Sequence, residues 1–347
     1  MARAAGGAAP EHAPLFFSRT YDFLEVYLVG QAGRSEHTKR SYKRGLGDLF
    51  DHVTLELGRD PMRFTFGDCT YELLLGWSQR MQEGSSSSTV NSRLAAVRSY
   101  LKYAASRDAS LASVWLAARR VPTLAVPRRQ LPIIEADDLA AFLDAPAHTY
   151  LGNRDRLILV LMFDTAIRVS ELVGITLGDL ALPDGAAASV TVHGKGRRER
   201  RIGLSERADK HLRAYLDAYH DGERDPETPL VYTETHGSVH AMSARNVERI
   251  VAKYGDAARE DRPDIPKTHP HMIRRTRATT LYRDGVPLEQ VSTLLGHQHI
   301  ETTRDHYAFP SPEQLRDVVE HGSGQEPDAE REYLDHVDEI KRQFGLL

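Results

Sequence analysis

The chain has 347 residues, of which 41% are hydrophobic. This length and composition predict a globular protein with a substantial core and favour two domains over one. No segment is long and apolar enough for a signal peptide or a membrane span, and the single cysteine, Cys69, excludes an internal disulfide and a cysteine-rich zinc site. We therefore expect a soluble protein of the cytoplasm with no membrane partner.

Charge is unevenly distributed along the chain, although the net charge is only −4. Residues 311–347 contain ten acidic and four basic residues, a net charge of −6, so residues 1–310 carry +2. Residues 15–128 contain sixteen Lys and Arg against eleven Asp and Glu. A basic first half is compatible with a DNA partner, but an excess of this size does not establish one by itself.

The first part of the chain has the pattern of a small helical domain. Residues 1–14 are rich in Ala, Gly and Pro without periodicity, and we predict that they are disordered. Apolar residues then recur at helical spacing over 16–30, 35–57, 70–81 and 89–105, which predicts a four-helix domain over 15–118. Four basic residues flank the apolar stripe of the second helix and either contact DNA phosphates or form an ordinary solvated face: Lys39, Arg40, Lys43 and Arg44.

A basic segment with three prolines, residues 119–132, separates the two halves of the chain. Proline at this spacing favours an extended connector, and its arginines would let it run along a DNA duplex. We place the domain boundary here and take Arg128 and Arg129 as candidate DNA contacts.

The second half combines helices with one predicted hairpin. Helical periodicity covers 135–144, 154–165, 207–219 and 243–257, whereas residues 189–204 alternate as two strands around Gly194-Lys195-Gly196. A lysine between two glycines either swings into a functional site or is a solubilising turn residue. The chain as a whole is therefore predicted to be mainly α with a small β-sheet.

Two stretches of the second half place charged side chains where they need partners. Arg168 follows a strongly apolar helix, and an unpaired buried guanidinium is costly, so it either pairs with Glu171 or holds an anion in a cleft. His271 and Arg274 are three residues apart, so on a helix they share a face and point at a common target.

A third stretch ends in a tyrosine. Gly296 marks a predicted helix end, which would hold His297 in a turn against the preceding pair. Tyr307 follows His297 by ten residues.

In this order the motifs resemble those of the tyrosine recombinases, or phage integrase family, over about residues 16–309, with an Xer-like or transposase-like branch as the nearest pattern. The resemblance implies an N-terminal core-binding (SAM-like) domain, a basic linker, a mixed α/β catalytic domain over 133–310 and an acidic tail over 311–347. The motifs that carry it are Ala166-Ile167-Arg168-Val169-Ser170-Glu171-Leu172, Gly194-Lys195-Gly196, His271-Met272-Ile273-Arg274, Leu295-Gly296-His297 and Tyr307.

Two positions depart from the family pattern. Arg275 stands where many relatives have a histidine, and Tyr307 follows His297 by ten residues where nine is common. The longer spacing resembles the transposase-like branch. Tyr307 remains the candidate nucleophile because Tyr282 lies inside the predicted helix of the His271 motif and Tyr333 lies far along the tail.

The resemblance further implies a site-specific DNA recombinase that cleaves and rejoins strands through a 3′-phosphotyrosine and a Holliday junction. Acidic residues between 268 and 310 are scattered, so we expect no metal ion and no cofactor. Arg197 and Arg198, beside the hairpin lysine, are further candidate DNA contacts. The implied roles are Arg168 and Arg274 as phosphate-binding forks, Tyr307 as nucleophile, His271 as base, Lys195 as acid, His297 as a hydrogen-bond donor and Glu171 as the residue that orients Arg168.

The implied partners are double-stranded DNA with inverted-repeat sites and further recombinase subunits, either a homotetramer on two sites or a hetero-oligomer with a related recombinase. The tail has an apolar stripe on an acidic helix, formed by Tyr333, Val337, Ile340 and Phe344. That helix docks either on its own domain or on a neighbouring protomer. The sequence does not separate an integrase, a dimer resolvase and a transposon-encoded enzyme, and a non-catalytic DNA-binding relative or a type IB topoisomerase-like relaxase remain alternatives.

Overall fold

The computed structural model describes residues 13–126, 131–194, 198–222, 225–297, 299–307, 315–316, 319 and 336–345. The chain divides between Arg128 and Arg129 into two compact units. Residues 1–12 of the segment predicted to be disordered and most of the acidic tail lie outside the described residues, as do Arg128 and Arg129 themselves. Pro14, the last residue of that segment, is ordered enough to accept a hydrogen bond from the Phe66 N–H at 3.1 Å.

The regular secondary-structure elements of the first unit, within its described residues, are all helices. A short 3-10 turn at Phe16–Arg19 leads into a π-helix, so the predicted helix over 16–30 forms as two pieces. The four predicted helical segments are present, and a fifth helix that the sequence analysis did not predict follows them. The elements are the π-helix Asp22–Gln31, α1 Glu36–Asp51, α2 Tyr71–Gln82, α3 Ser87–Arg107 and α4 Ala112–Arg120.

Local capping explains where these helices begin. Ser35, Thr70 and Ser86 each accept a hydrogen bond from a backbone N–H in the first turn of the helix that follows. The apolar faces then meet in one core, in which Trp77 and Tyr100 are almost fully buried. This unit therefore has its own hydrophobic core, as a separate domain requires.

The second unit surrounds one apolar helix. Helix α6, Tyr150–Thr165, is buried from Leu157 to Met162, which matches the continuous apolar sequence of that stretch. It begins at Tyr150, four residues earlier than predicted, because the Thr149 hydroxyl caps it by accepting from the Gly152 N–H at 3.1 Å. The helices of this unit are α5 Ala136–Asp144, α6 Tyr150–Thr165, α7 Val169–Leu172, α8 Glu206–Tyr219, α9 Ala244–Asp261, α10 Pro270–Arg283, α11 Leu288–Leu295, α12 Ile300–Tyr307 and α13 Val337–Gln343.

Two small antiparallel sheets complete this unit. The predicted hairpin is present as β2 Ser189–Gly194 and β3 Arg198–Gly203, with Val190 opposite Ile202, and the short strand β1 Leu180–Ala181 extends it on the β2 side. A second hairpin, β4 Tyr232–Thr235 and β5 Ser238–Ala241, was not predicted. The fold-class prediction, mainly α with a small β-sheet and two domains of these types, is confirmed.

Within the described residues, no helix has the length and apolar character needed to cross a membrane. In α13, the Val337 and Ile340 side chains are half-buried and Phe344, directly after the helix, is exposed. Tyr333, the first residue of the predicted tail stripe, lies outside the described part of the chain. The docking of this helix stays a prediction.

Candidate active site

A left-handed turn at the end of α6 positions the first arginine. Ala166 has φ 50° and ψ 27°, a conformation that residues other than glycine rarely adopt, and it is fully buried. The chain leaves the helix sharply at this point, and Arg168 becomes the extended residue that precedes α7. The turn thus brings the Arg168 side chain to the end of the apolar helix rather than along its side.

Glu171 anchors Arg168 at two points. Its Oε2 accepts from the Arg168 backbone N–H at 2.8 Å, and its Oε1 accepts from Arg168 Nη1 at 2.8 Å. The Glu171 side chain is buried, whereas 41% of the Arg168 side chain stays exposed. The two alternatives considered for Arg168 are therefore compatible, since the salt bridge leaves part of the guanidinium open to an anion.

Arg200 of β3 is the second partner of this carboxylate, and the sequence analysis did not select it. Its Nη2 donates to Glu171 Oε2 at 2.9 Å, its Nη1 donates to Glu171 Oε1 at 3.2 Å, and its Nε donates to the Leu294 carbonyl at 2.9 Å. The strand pattern contained only part of the signal, because it places Arg200 and Arg198 alike on the face of a buried residue. Residues 198, 200 and 202 share a face of β3, and Ile202 on that face is buried.

The ionisation of Glu171 reflects these contacts. Burial by itself raises the pKa of Glu171, but the hydrogen bonds and charges of Arg200 and Arg168 outweigh it and lower the pKa to about 2. The carboxylate is therefore charged at neutral pH and joins two guanidinium groups.

Acid is expected to weaken this arrangement only below the ordinary pKa of glutamate, 4.5. Because the folded-state pKa is depressed, the contribution of Glu171 to the free energy of unfolding is present in full above pH 4.5 and is lost as the pH falls towards 2. At neutral pH it amounts to about 3 kcal/mol. Denaturant unfolding of the wild type and Glu171→Gln should show a stability gap that shrinks by roughly half between pH 7 and about pH 3.5.

The exposed Glu248 on α9 provides the matched control, and Glu248→Gln should change the free energy of unfolding little, because the exposed side chain loses no buried contact. A Glu171→Gln gap of the same size at both pH values would contradict the proposed ionisation of Glu171.

Arg274 is the centre of the site and is 1% exposed. From α10, its Nη1 donates to the Ala166 carbonyl at 2.5 Å and its Nη2 donates to the Leu295 carbonyl at 2.6 Å. The same Nη2 lies 3.2 Å from His297 Nε2. One guanidinium therefore joins the turn after α6, which precedes Arg168, to the end of α11, which precedes His297.

His297 is held from both sides of its ring. Nδ1 lies 2.8 Å from the hydroxyl of Thr303, a fully buried residue of α12. Because Arg274 Nη2 is a donor, His297 Nε2 accepts from it, and Nδ1 then carries the hydrogen and donates to Thr303. The Thr303 hydroxyl can also donate to Nδ1. The imidazole can therefore adopt the other tautomer, with the hydrogen on Nε2, when another acceptor takes the place of Nε2 beside Arg274. Thr303 was not selected from the sequence.

Gly296 is required by two features of this loop. Its φ is +61°, and a Cβ there would lie 2.9 Å from Arg200 Nη1. A side chain at position 296 would therefore be strained and would displace Arg200. The predicted helix end with glycine at the stop is the end of α11.

His271 lies in the first turn of α10, one turn before Arg274, and its side chain is exposed. His269 caps this helix, since its Nδ1 accepts from the Met272 N–H at 3.2 Å. Arg275, at the position where many relatives have a histidine, is buried and donates from Nε at 3.0 Å to the Pro132 carbonyl. Arg275 thus contacts the start of the second unit.

The remaining predicted catalytic residues are only partly described. Lys195 and Arg197 lie outside the described residues. Gly194 lies beside Glu171, since a Cβ added at Gly194 would be 3.7 Å from Glu171 Oε1. Tyr307 is the last residue of α12, and its side chain lies outside the description. The hairpin thus reaches Glu171 at Gly194, and α12 reaches His297 at Thr303.

The candidate DNA contacts differ among themselves. Lys39 forms ion pairs with Glu25 at 2.8 Å and Glu36 at 3.2 Å, and hydrogen bonds to these two carboxylates raise its pKa. Its charge is already partnered within the domain. The other candidates that the structure describes are exposed: Arg40, Lys43, Arg44 and Arg198. All of these assignments stay predictions.

The described part of the chain contains no group of three or more His, Cys, Asp or Glu side chains that could hold a metal ion. The site that it does contain, Arg168, Glu171, Arg200, Arg274 and His297, is here called the arginine cluster. It offers fixed N–H donors and positive charge, which suit an anion such as a phosphodiester.

Comparisons with known proteins agree on one family. The model of the phage integrase family matches residues 132–314, and the model of the phage integrase N-terminal SAM-like domain matches residues 22–108. Tyrosine recombinase XerC of Thermodesulfovibrio yellowstonii is 31% identical over 284 residues, covering 79% of this chain and 86% of that protein. Tyrosine recombinase XerC of Mycobacterium sp. (strain JLS) is 31% identical over 299 residues, covering 82% and 91%.

Solved structures share the fold at low sequence identity. XerH site-specific recombinase bound to a palindromic difH substrate, in a post-cleavage complex, gives a TM-score of 0.66 at 17% identity, covering 85% of this chain and 83% of that one. The Tn1549 transposon integrase in complex with a circular intermediate DNA gives 0.64 at 17%, covering 90% and 100%. A lambda integrase tetramer bound to a Holliday junction gives 0.59 at 17%, covering 87% and 80%.

Proposed function

Because this chain belongs to the phage integrase family of tyrosine recombinases, we propose that it cuts and rejoins DNA at specific sites, with the arginine cluster as the binding site of the scissile phosphate. The observation that carries the proposal is the position of the Arg274 guanidinium. It joins the Arg168 turn to the His297 loop while remaining buried, so three segments distant in sequence supply donors at one place.

The chemistry follows from the charge of the substrate. A phosphodiester is negatively charged and resists nucleophiles, and attack at phosphorus places more charge on its non-bridging oxygens. Arg168 and Arg274 neutralise these oxygens through the positive charge that their guanidinium groups place at the site. His297 adds a hydrogen bond from Nε2 after the tautomer change that Thr303 permits.

The covalent step exchanges one ester bond for another. The Tyr307 oxygen forms a bond to phosphorus, the bond from phosphorus to the 5′ oxygen breaks, and the DNA keeps its 3′ phosphate on the tyrosine. His271 accepts the phenol proton, and Lys195 gives a proton to the departing 5′ oxygen. The reverse attack by a 5′ hydroxyl reseals the strand without an external energy source.

Recombination requires two DNA sites and more than one active subunit. We propose that four copies act on two inverted-repeat sites through a Holliday junction, the kind of DNA to which the lambda integrase tetramer is bound. A hetero-oligomer with a related recombinase would meet the same requirement. The basic residues of α1 and of the 119–132 segment contact the duplex, and the apolar side of α13 contacts a neighbouring protomer.

A nicked DNA duplex tests the proposed reaction. A site is first selected from a random-sequence duplex pool by binding to the full chain, and it is then nicked a few nucleotides 3′ of the scissile phosphate. Cleavage releases the short 5′-hydroxyl fragment, so religation fails and a protein–DNA adduct accumulates. We expect an adduct that resists denaturant and runs as a slower band on a denaturing gel.

Two other outcomes would identify different functions. Binding to the selected site without any adduct would indicate a non-catalytic DNA-binding relative and would contradict the proposed reaction. Relaxation of supercoiled DNA without preference for the selected site would indicate a type IB topoisomerase-like enzyme instead.

A further inference from the structure

Arg200 belongs to the arginine cluster, but no step of the proposed reaction uses its side chain. It belongs to β3, the strand that follows Lys195 in the sequence, yet its side chain bonds to Glu171 of α7 and to the Leu294 carbonyl of α11. Its side chain is only 14% exposed. A buried guanidinium with three bonds to two other segments is fixed, and so is the strand that carries it.

The two ends of the β2–β3 hairpin are held in place differently. One end is fixed by packing in the hydrophobic core, and the other end lacks such packing. At the end away from the turn, Val190 lies opposite Ile202 in the hydrophobic core, so packing fixes the strands there. Towards the turn, Gly194 lies opposite Arg198, and Arg198 is exposed. Arg200 is located between these two ends, and its bonds attach the turn half of the hairpin to the arginine cluster.

The other members of the cluster have anchors that do not involve Arg200. Arg168 bonds to Glu171 through its own backbone N–H and Nη1, and the His297 loop is held by Arg274 through the Leu295 carbonyl. Loss of Arg200 would remove none of these hydrogen bonds directly. The hairpin, by contrast, would lose two hydrogen bonds to Glu171 of the cluster and one to the Leu294 carbonyl of α11.

We propose that Arg200 is a positioning residue for Lys195, which holds the hairpin against the arginine cluster so that the lysine reaches the 5′ oxygen of the leaving strand. The inference rests on the proposed function, since it concerns the proton donor of that reaction. Lysine at position 200 keeps the charge but cannot reproduce the fork that spans both Glu171 oxygens and the Leu294 carbonyl.

A substrate with a sulfur leaving group separates this role from general damage. In a duplex whose scissile phosphate carries a 5′-bridging sulfur, the leaving group departs as a thiolate and needs no proton. The pKa of a thiol, about 8.5, is far below that of an alcohol. A hairpin that is displaced therefore slows cleavage of the oxygen substrate and leaves cleavage of the sulfur substrate almost unaffected.

The experiment measures single-turnover cleavage of both duplexes by the full chain, its Arg200→Lys variant and its Arg200→Gln variant. We expect Arg200→Lys to cleave the oxygen substrate about 10²-fold more slowly than the wild type, the size of a general-acid contribution, and the sulfur substrate at nearly the wild-type rate. Arg201→Gln is the matched control, because Arg201 is exposed and bonds only to the Ser189 hydroxyl among the contacts described.

Each result decides a different claim. Arg200→Lys that is equally slow on both substrates, or as fast as the wild type on both, overturns the positioning role. If Arg200→Gln does not fold, as thermal unfolding would show, Arg200→Lys alone decides. If the wild-type chain cleaves neither substrate, the proposed function and this inference are both overturned. If it cleaves both, the proposed function stands and the variants test the inference alone.

Discussion

Replacing Tyr307 by phenylalanine is expected to abolish the covalent adduct while leaving DNA binding almost unchanged. The substitution removes one oxygen atom, which is the proposed nucleophile, and keeps the aromatic ring. Loss of a nucleophile that forms a covalent intermediate reduces the rate by at least about 10⁴-fold. The measurement is the denaturing gel of the nicked-duplex reaction, together with a binding titration of the same duplex.

Tyr282 provides the matched control for this prediction. It lies in α10, about two turns after Arg274, within the same unit. Tyr282→Phe should retain the adduct, because its hydroxyl has no part in the proposed reaction. An adduct that survives Tyr307→Phe and disappears in Tyr282→Phe would move the nucleophile to position 282.

Replacing Arg274 by lysine is expected to impair both cleavage and stability. The lysine ammonium cannot serve the Ala166 and Leu295 carbonyls and the phosphate together, because it lacks the planar fork. Each buried carbonyl left without a donor costs about 1–3 kcal/mol, so the free energy of unfolding should fall by about 2–5 kcal/mol. Cleavage should slow by about 10²–10³-fold, the effect of losing one preorganised donor at the developing charge.

Arg277, one turn further along α10, separates the local effect from a general intolerance of this helix to substitution. Its guanidinium lies 5.1 Å from the centre of the Phe163 ring, and Arg277→Lys keeps a cation there. We expect this variant to lose little stability and to cleave at a rate close to that of the wild type. Single-turnover cleavage and denaturant unfolding measure both effects, and an Arg274→Lys variant with wild-type cleavage would contradict the assigned role of Arg274.

The sequence predicted the parts of the fold that local patterns determine. Two such patterns are the continuous apolar stretch of α6 and Gly296 at the end of α11. Both act between neighbouring residues, so their effects are visible in the order of residues. Helix α4 was missed because the following prolines suggested a connector. The residues after α4 are bonded to α3, because the Asn91 side chain forms two hydrogen bonds with the Leu124 backbone. This contact joins residues 33 apart in the sequence.

The candidate site was predicted in its main groups but not in its connections. Arg168, Arg274 and His297 stand in recognisable motifs, and the structure brings them to one place. Arg200 was hidden in a run of four arginines and one glutamate over residues 197–201, where composition gives no reason to select one. The contacts of Arg200 depend on which face of β3 turns inwards and on the positions of Glu171 in α7 and of the Leu294 carbonyl in α11. Tertiary structure decides both.

The unpredicted hairpin has a signal that the apolar pattern does not contain. Strands β4 and β5 are largely exposed, so apolar alternation is weak there. Their two-residue turn has positive φ at both positions, 52° at His236 and 76° at Gly237. A residue followed by glycine between two β-prone stretches is typical of such a turn, and a search for turns rather than for strands would have located it.

The burial of Arg274 also determines when conformational freedom is lost. An arginine side chain carries about 2 kcal/mol of rotamer entropy. Arg274, fixed on two carbonyls, gives this up when the domain folds, so none of it is subtracted from the free energy of DNA binding. Arg168, held on one side and 41% exposed, keeps part of its freedom until the phosphate arrives. In the proposed reaction, the site therefore combines a rigid arginine that defines where the phosphate must lie with an adaptable one that can follow it as strands are exchanged.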